Sequence, residues 1–325
     1  MSNEVFLVTG AMGCIGTWVL RHLLDQKANV LATDLSETPE RAHLVMTEDE
    51  VASINWAKLD VTDHKAVNRL VADNGVTHIV HLAGLQIPFC KANPVVGAAV
   101  NVLGTVNVLE AARHNNVQGI SYASSLAALG PDSCYPDKPV KDDVTPIPVS
   151  LYGVYKVANE GTAKIYWQDW QIGSVGLRPY IVYGVARDQG MTSDIAKAVL
   201  AAAAGKPYHI RFSGQVALQY ASDTAETFIH SARANYQGSA VCNLRGDVLE
   251  VSQFVDILKQ ICPSARITFE ASAPLPFPSD LDDSGIRSIL GSLPHTPLEE
   301  SIKIDLGRFE NLLSAGKVNL SQLEN

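Results

Sequence analysis

The stretch Val5-Phe6-Leu7-Val8-Thr9-Gly10-Ala11-Met12-Gly13-Cys14-Ile15-Gly16 decides how the chain is read. An apolar, β-prone run ends in a Gly10-x-x-Gly13-x-x-Gly16 turn, and a helical pattern over residues 15–26 starts inside that turn. In such a setting glycines let backbone N–H groups close on a pyrophosphate, whose charge the helix dipole favours. Gly10, Met12, Gly13, Cys14, Ile15 and Gly16 are therefore expected to line the phosphates of a dinucleotide. A glycine triplet also occurs as a plain tight turn, so the assignment leans on the residues downstream of it.

The next strand ends in Ala32-Thr33-Asp34, which places a carboxylate where an adenosine ribose offers two hydroxyls. A 2′-phosphate would be repelled there and has no adjacent cation, the nearest being Arg41, so NAD is expected over NADP. Apolar runs over 5–8, 29–33, 54–59, 78–82, 120–124 and 174–178 alternate with helical patterns over 15–26, 63–72, 95–114 and 150–170. Asp63 and Ser150 stand as N-caps. The alternation predicts an α/β chain with a Rossmann-type, doubly wound parallel sheet.

Beyond residue 180 the pattern loosens. Ala273-Pro274-Leu275-Pro276-Phe277-Pro278 excludes a central strand or helix there. Helices near 191–204, 251–261 and 298–313 and strands near 240–244 and 266–270 suggest a smaller mixed C-terminal lobe. The expected division is a NAD-binding domain over 1–180, joined by about 215–245, and a substrate-binding lobe over 181–214 and 246–325.

Composition narrows the classes. With 34 acidic against 25 basic residues and no Lys/Arg run, nucleic acid and anionic membrane surfaces are not expected partners. Met1-Ser2-Asn3-Glu4 lacks a basic leader region, and the stretch 195–204, read as the most apolar, is far short of the ~20 residues of a bilayer span. A cytoplasmic protein is expected. Five cysteines, without paired spacing or nearby histidines, argue against disulfides and a metal site. Cys14, at a helix start, reads as a packing residue, with a mildly reactive thiolate as the alternative.

Tyr152-Gly153-Val154-Tyr155-Lys156 sets a phenol and an ammonium four residues apart on one helical face. A nearby cation lowers a phenol's pKa, so Tyr152 could take a proton from a substrate alcohol. Ser124-Ser125 ends a strand at the edge where α/β sheets gather ligands, and a serine there could hold the substrate oxygen. Each part is weak alone, but their joint order is specific.

Together these segments resemble the extended short-chain dehydrogenase/reductases, the NAD-dependent epimerase/dehydratase family that includes UDP-galactose 4-epimerase. The likeness extends through Leu59-Asp60-Val61, His81-Leu82-Ala83-Gly84, Asn101-Val102-Leu103-Gly104-Thr105, Leu177-Arg178-Pro179 and Tyr183-Gly184. It implies that Asp60 and Val61 contact adenine, that Leu82, Ala83, Gly84 and Asn101 line the cofactor, and that Lys156 also holds the nicotinamide ribose. It makes Ser125, rather than Ser124, catalytic with Tyr152 and Lys156. His81 reads as a structural strand-end residue.

The substrate half departs from that family. Val216-Ala217-Leu218-Gln219 stands where relatives carry an arginine-bearing motif, Ile181 replaces an asparagine, and an arginine is missing from 275–284. Residues that grip a nucleotide diphosphate are thus absent, and Leu126-Ala127 replaces the Asp-Glu pair of sugar dehydratases. The expected activity is NAD-dependent hydride transfer on a secondary alcohol of a small sugar, polyol or hydroxy acid. The alternatives are an epimerase with tightly held NAD and a non-catalytic NAD sensor. Gln86, Phe89, Ser125, Arg187, Gln219 and Tyr220 are the candidate substrate contacts, with Arg187 and Arg245 the remaining cations for a carboxylate. A homodimer through 95–114 and 150–170 is expected by the same resemblance.

Overall fold

The computed structural model describes residues 4–36 and 38–324. Residues 1–3, part of the stretch read as lacking a leader, lie outside the described residues. Among the latter, twelve strands run in chain order: β1 Val5–Thr9, β2 Asn29–Asp34, β3 Asn55–Lys58, β4 His78–His81, β5 Gly119–Ala123, β6 Ser174–Arg178, β7 Ile181–Tyr183, β8 Pro207–Ile210, β9 Gln215–Tyr220, β10 Ser239–Asn243, β11 Asp247–Glu250 and β12 Arg266–Phe269. The helices are α1 Cys14–Asp25, α2 Glu48–Ala52, α3 His64–Asp73, α4 Ile87–Ala92, α5 Pro94–Ala98, α6 Gly104–His114, α7 Leu151–Trp170, α8 Asp194–Ala203, α9 Ala221–Arg233, α10 Val251–Ile261, α11 Ser284–Leu290 and α12 Leu298–Ser314.

Seven strands pair in the order β10-β6-β5-β4-β1-β2-β3, all parallel. Parallel strands are buried on both faces, and the cores of β1 and β4 are fully enclosed, as Phe6, Leu7, Val8, Ile79 and Val80 show. Chain order reverses between β1 and β4, which opens a crevice at their carboxyl ends. A second sheet, β11-β9-β7, and a β8-β12 pair build the smaller mixed lobe. Residues 221–243 return to the large sheet as α9 and β10.

The first half follows the periodicity closely. Asp63 caps α3 by accepting the Ala66 N–H at 3.0 Å, and Ser150 caps α7 by accepting that of Gly153 at 3.1 Å. The stretch 95–114 departs from one regular helix: α5 starts at Pro94, and a π-helical turn over Ala99–Leu103 precedes α6. Asn101 in that turn is fully buried, its amide bonded to both backbone groups of Leu85.

This helical stretch also corrects the reading of 195–204 as the most apolar segment. Pro94–His114, 21 residues at mean hydropathy 1.6, is long and apolar enough by composition to cross a membrane, and half of its apolar window is buried inside the fold. Burying that face against α3 and α7 demands the apolar residues.

Replacing the α3 cap tests this local logic. Asp63→Ala should lower unfolding free energy by about 1 kcal/mol with an unchanged urea m-value, as read by circular dichroism.

Candidate active site

The crevice between β1 and β4 begins at Gly10. Its φ is +68°, and a Cβ there would lie 2.7 Å from the Ala83 nitrogen, so only glycine lets the turn rest on the strand β4 exit. Gly13 then caps α1 without any side-chain hydrogen bond. The first amides of α1 are consequently left for an anion, in the positive end of the dipole. Asp34 accepts the Met12 N–H at 2.9 Å and the Leu35 N–H at 2.8 Å, and faces a cavity of about 750 Å³. Gly10, Met12, Gly13, Asp60, Val61, Leu82, Ala83 and Gly84 line the same cavity. Bare helix amides beside a strand-end carboxylate fit a dinucleotide.

Two expectations change here. Arg41 does reach the cavity: it donates to the Met12 carbonyl at 2.9 Å, and its other amino group holds Asp188 at 2.7 Å. Its charge is thus committed to a carboxylate of the chain itself. Asn101 does not face the cavity but pins the loop after Gly84, since its buried amide is consumed by Leu85 and the Cys90 sulfur.

A second chamber of about 220 Å³ continues the crevice, lined by Ser125, Tyr152, Lys156, Cys14, Ile15 and Gly16. Gly153 brings the start of α7 there, because a Cβ would sit 2.1 Å from the Ala127 carbonyl. The Ser125 hydroxyl accepts the Ala127 N–H at 3.1 Å and acts on the Tyr152 phenol in the direction of ionisation. Lys156 donates to the Ala123 carbonyl at 2.7 Å and lies 5.4 Å from the centre of the Tyr152 ring.

Burial dominates the protonation of both groups. It pulls Lys156 down to about 8 and holds Tyr152 above its ordinary value. The reading of a phenol lowered by its neighbouring cation is therefore corrected: desolvation outweighs the effects of Ser125 and Arg187.

Ser124 turns the other way. Its hydroxyl donates to Glu160 at 2.5 Å, inside a buried fork in which Arg178 holds both Glu160 oxygens at 2.8 Å. His81 is bonded to Thr9 at 2.7 Å and Thr105 at 3.1 Å, and burial lowers it to about 3, so it stays neutral as a structural residue. Burial likewise pushes the Cys14 thiol up to about 12, against the reactive alternative.

The substrate candidates divide. Gln86 and Arg187 line both cavities, and Phe89 stands at the larger one. Gln219 and Tyr220 are corrected: both lie buried within the small lobe. Gln219 bonds the Tyr180 N–H at 2.9 Å and the Leu244 carbonyl at 2.5 Å, while Tyr220 donates to Asp305 at 3.2 Å. Arg245 is an outer residue paired with Asp280 at 3.0 Å. Tyr180, Met191, Thr192 and Phe277 complete the chamber without any sequence signal that singles them out. Phe277 meets Tyr180 edge-on at 6.0 Å, so the proline-rich stretch, by its composition only a breaker, roofs the site.

Comparison with known proteins finds relatives of the same fold. An uncharacterized protein of Methanocaldococcus jannaschii is 25% identical over 317 residues, 93% of this chain and 95% of its own. The L-threonine dehydrogenase of Clostridium difficile superposes with a TM-score of 0.82 at 22% identity, covering 95% of this chain and 98% of that one. The UDP-glucose 4-epimerase of Thermus thermophilus, in complex with NAD, gives 0.78 at 23% identity over 94% and 99%. The model of the NAD dependent epimerase/dehydratase family matches residues 6–244, and the chain belongs to that family, with NAD as its cofactor.

Proposed function

We propose that the chain is an oxidoreductase moving a hydride between NAD and a secondary alcohol of a small sugar, polyol or hydroxy acid, with Tyr152 as acid and base. The carrying observation is that Ser125, Tyr152 and Lys156 share one small chamber opening from the cofactor crevice. When bound, NAD supplies the hydride acceptor, or in its reduced form the donor. Ser125 holds the substrate oxygen, Tyr152 takes the hydroxyl proton during oxidation and returns it in reduction, and Lys156 supports the phenolate and the nicotinamide ribose. The small lobe, which takes in β9 with residues 181–214 and 246–325, supplies substrate selectivity over a NAD-binding domain of 1–180 with about 221–245.

A net dehydrogenase is favoured over an epimerase by size and charge. About 220 Å³ lies below the 300–1,000 Å³ of ordinary ligand sites, and it must admit the nicotinamide as well. An epimerase keeps its keto intermediate through a remote anchor, and the diphosphate-gripping residues that would serve are missing. A homodimer is supported by apolar side chains left outside on the two long helical stretches: Val95 is 78% exposed, and Leu103, Val154 and Ile165 are each 47% exposed.

Tyr152→Phe should lower kcat by about 10²–10⁴-fold while NADH still binds by fluorescence; undiminished turnover would indicate the sensor reading instead. Because burial holds the phenol protonated, kcat/KM for alcohol oxidation should climb as pH rises through the alkaline range, and that for ketone reduction should fall. Sedimentation at micromolar concentration should give twice the chain mass, and Val154→Glu should return the monomer.

A further inference from the structure

The small chamber contains polar atoms with nothing to bond. Gln86 Oε1, Tyr180 Oη and Arg187 Nε are buried and have no hydrogen-bond partner. A buried polar atom left unsatisfied forfeits its hydration without return, and native structures rarely gather several in one place without a ligand. All three residues line the chamber that also holds Ser125 and Tyr152.

Arg187 stands out among them. Among the described residues it has no acidic partner, and its one side-chain hydrogen bond, from Nη2 to the Thr192 hydroxyl, is 3.3 Å long. The guanidinium and Gln86 both lie over Gly190: a Cβ on that glycine would lie 2.3 Å from Gln86 Oε1 and 3.1 Å from Arg187 Nη2. Gly190 has φ of +98°, so both the turn and the room above it exclude a side chain. The loop is thereby shaped to keep a cation and a side-chain amide together at the edge of the chamber.

We propose that Arg187 is a carboxylate-recognition residue, so that the substrate is a short-chain hydroxy acid whose carboxylate pairs with Arg187 while its secondary hydroxyl lies between Ser125 and Tyr152. This rests on the hydride-transfer reading given above. The fork of a guanidinium suits a planar carboxylate, and Gln86 and Tyr180 bond the hydroxyls between the two ends. The pyrophosphate of the cofactor is a competing claim on Arg187, which also lines the larger cavity. That phosphate pair already has the bare amides of α1, and Arg187 stands between the two sides, its charge felt both at Cys14 in the first turn of α1 and at the Tyr152 phenol.

The test uses the full chain and matched pairs, glycerate with glycerol and ribonate with ribitol, each offered with NAD. The acids should be the better substrates by kcat/KM. Arg187→Met should cut the acid-to-polyol ratio by about 100-fold, Arg187→Lys should recover part of it, and Gln86→Leu should raise KM for both members of a pair. NADH affinity without substrate should stay that of the parent. Calorimetric binding of ribonate to the NADH-loaded chain, a combination unable to react, reads the subsite apart from turnover and should be lost in Arg187→Met.

Equal use of acids and polyols, preference for glycerol 3-phosphate over glycerate, or a matching loss of NADH affinity in Arg187→Met would each overturn the subsite. Arg187-dependent ribonate binding without any NAD reduction would uphold the subsite and count against hydride transfer.

Discussion

The ion pair between Glu160 and Arg178 is the constraint on which the site geometry rests. Both side chains are under 10% exposed, the guanidinium grips the carboxylate through two bonds, and Ser124 satisfies it further. Breaking such a pair by removing one partner costs about 3–5 kcal/mol, because the survivor is left buried and charged. Glu160 belongs to α7 and Arg178 to β6, while Ser124 follows β5. One network therefore fixes the helix carrying Tyr152 and Lys156 against the strand exit carrying Ser125. The two serines divide the labour because adjacent residues of an extended chain face opposite ways: Ser124 anchors and Ser125 reaches the chamber.

That anchoring permits a site in which burial works against charge. Desolvation lowers Lys156 and raises Tyr152, so burial disfavours the ionised form of each, and at the phenol Ser125 and Arg187 act in the opposite direction. On the cofactor side the same logic has the opposite sign, since the unfilled amides of α1 and the carboxylate of Asp34 await complementary groups on a ligand. The crevice thus offers donors at the start of α1 and acceptors at Asp34.

Features that depend on local spacing were legible in the sequence. The glycine turn, Asp34 at a strand end, the Asp63 and Ser150 caps and the Tyr152/Lys156 spacing each depend on neighbours a few residues away. Gln219 and Tyr220 failed because β9 pairs with β7 and β11, and which side chains that sheet swallows depends on strands far apart in sequence. Asn101 failed for a related reason: its polar side chain serves the Leu85 backbone, a partner no periodicity discloses. Tyr180 and Phe277 meet only because a proline-rich stretch, unable to join a sheet, folds across the exit of β6. Arg41 was discounted by its distance from Asp34 along the chain, yet it reaches Met12, which itself bonds Asp34.

The three arginines considered for anion binding show why residue type alone does not decide function. Arg41 and Arg245 each end on a carboxylate of their own chain, Asp188 and Asp280, and are electrostatically spent. Arg187 ends on a hydroxyl and retains its charge for whatever enters the chamber. A fold common to dehydrogenases and epimerases fixes where hydride transfer can occur, but it leaves the substrate to such uncommitted groups. Among the described residues, Arg187 is the guanidinium that lines the small chamber without an acidic partner. In the proposed reading, selectivity rests on matching that charge and a few hydrogen bonds within the chamber.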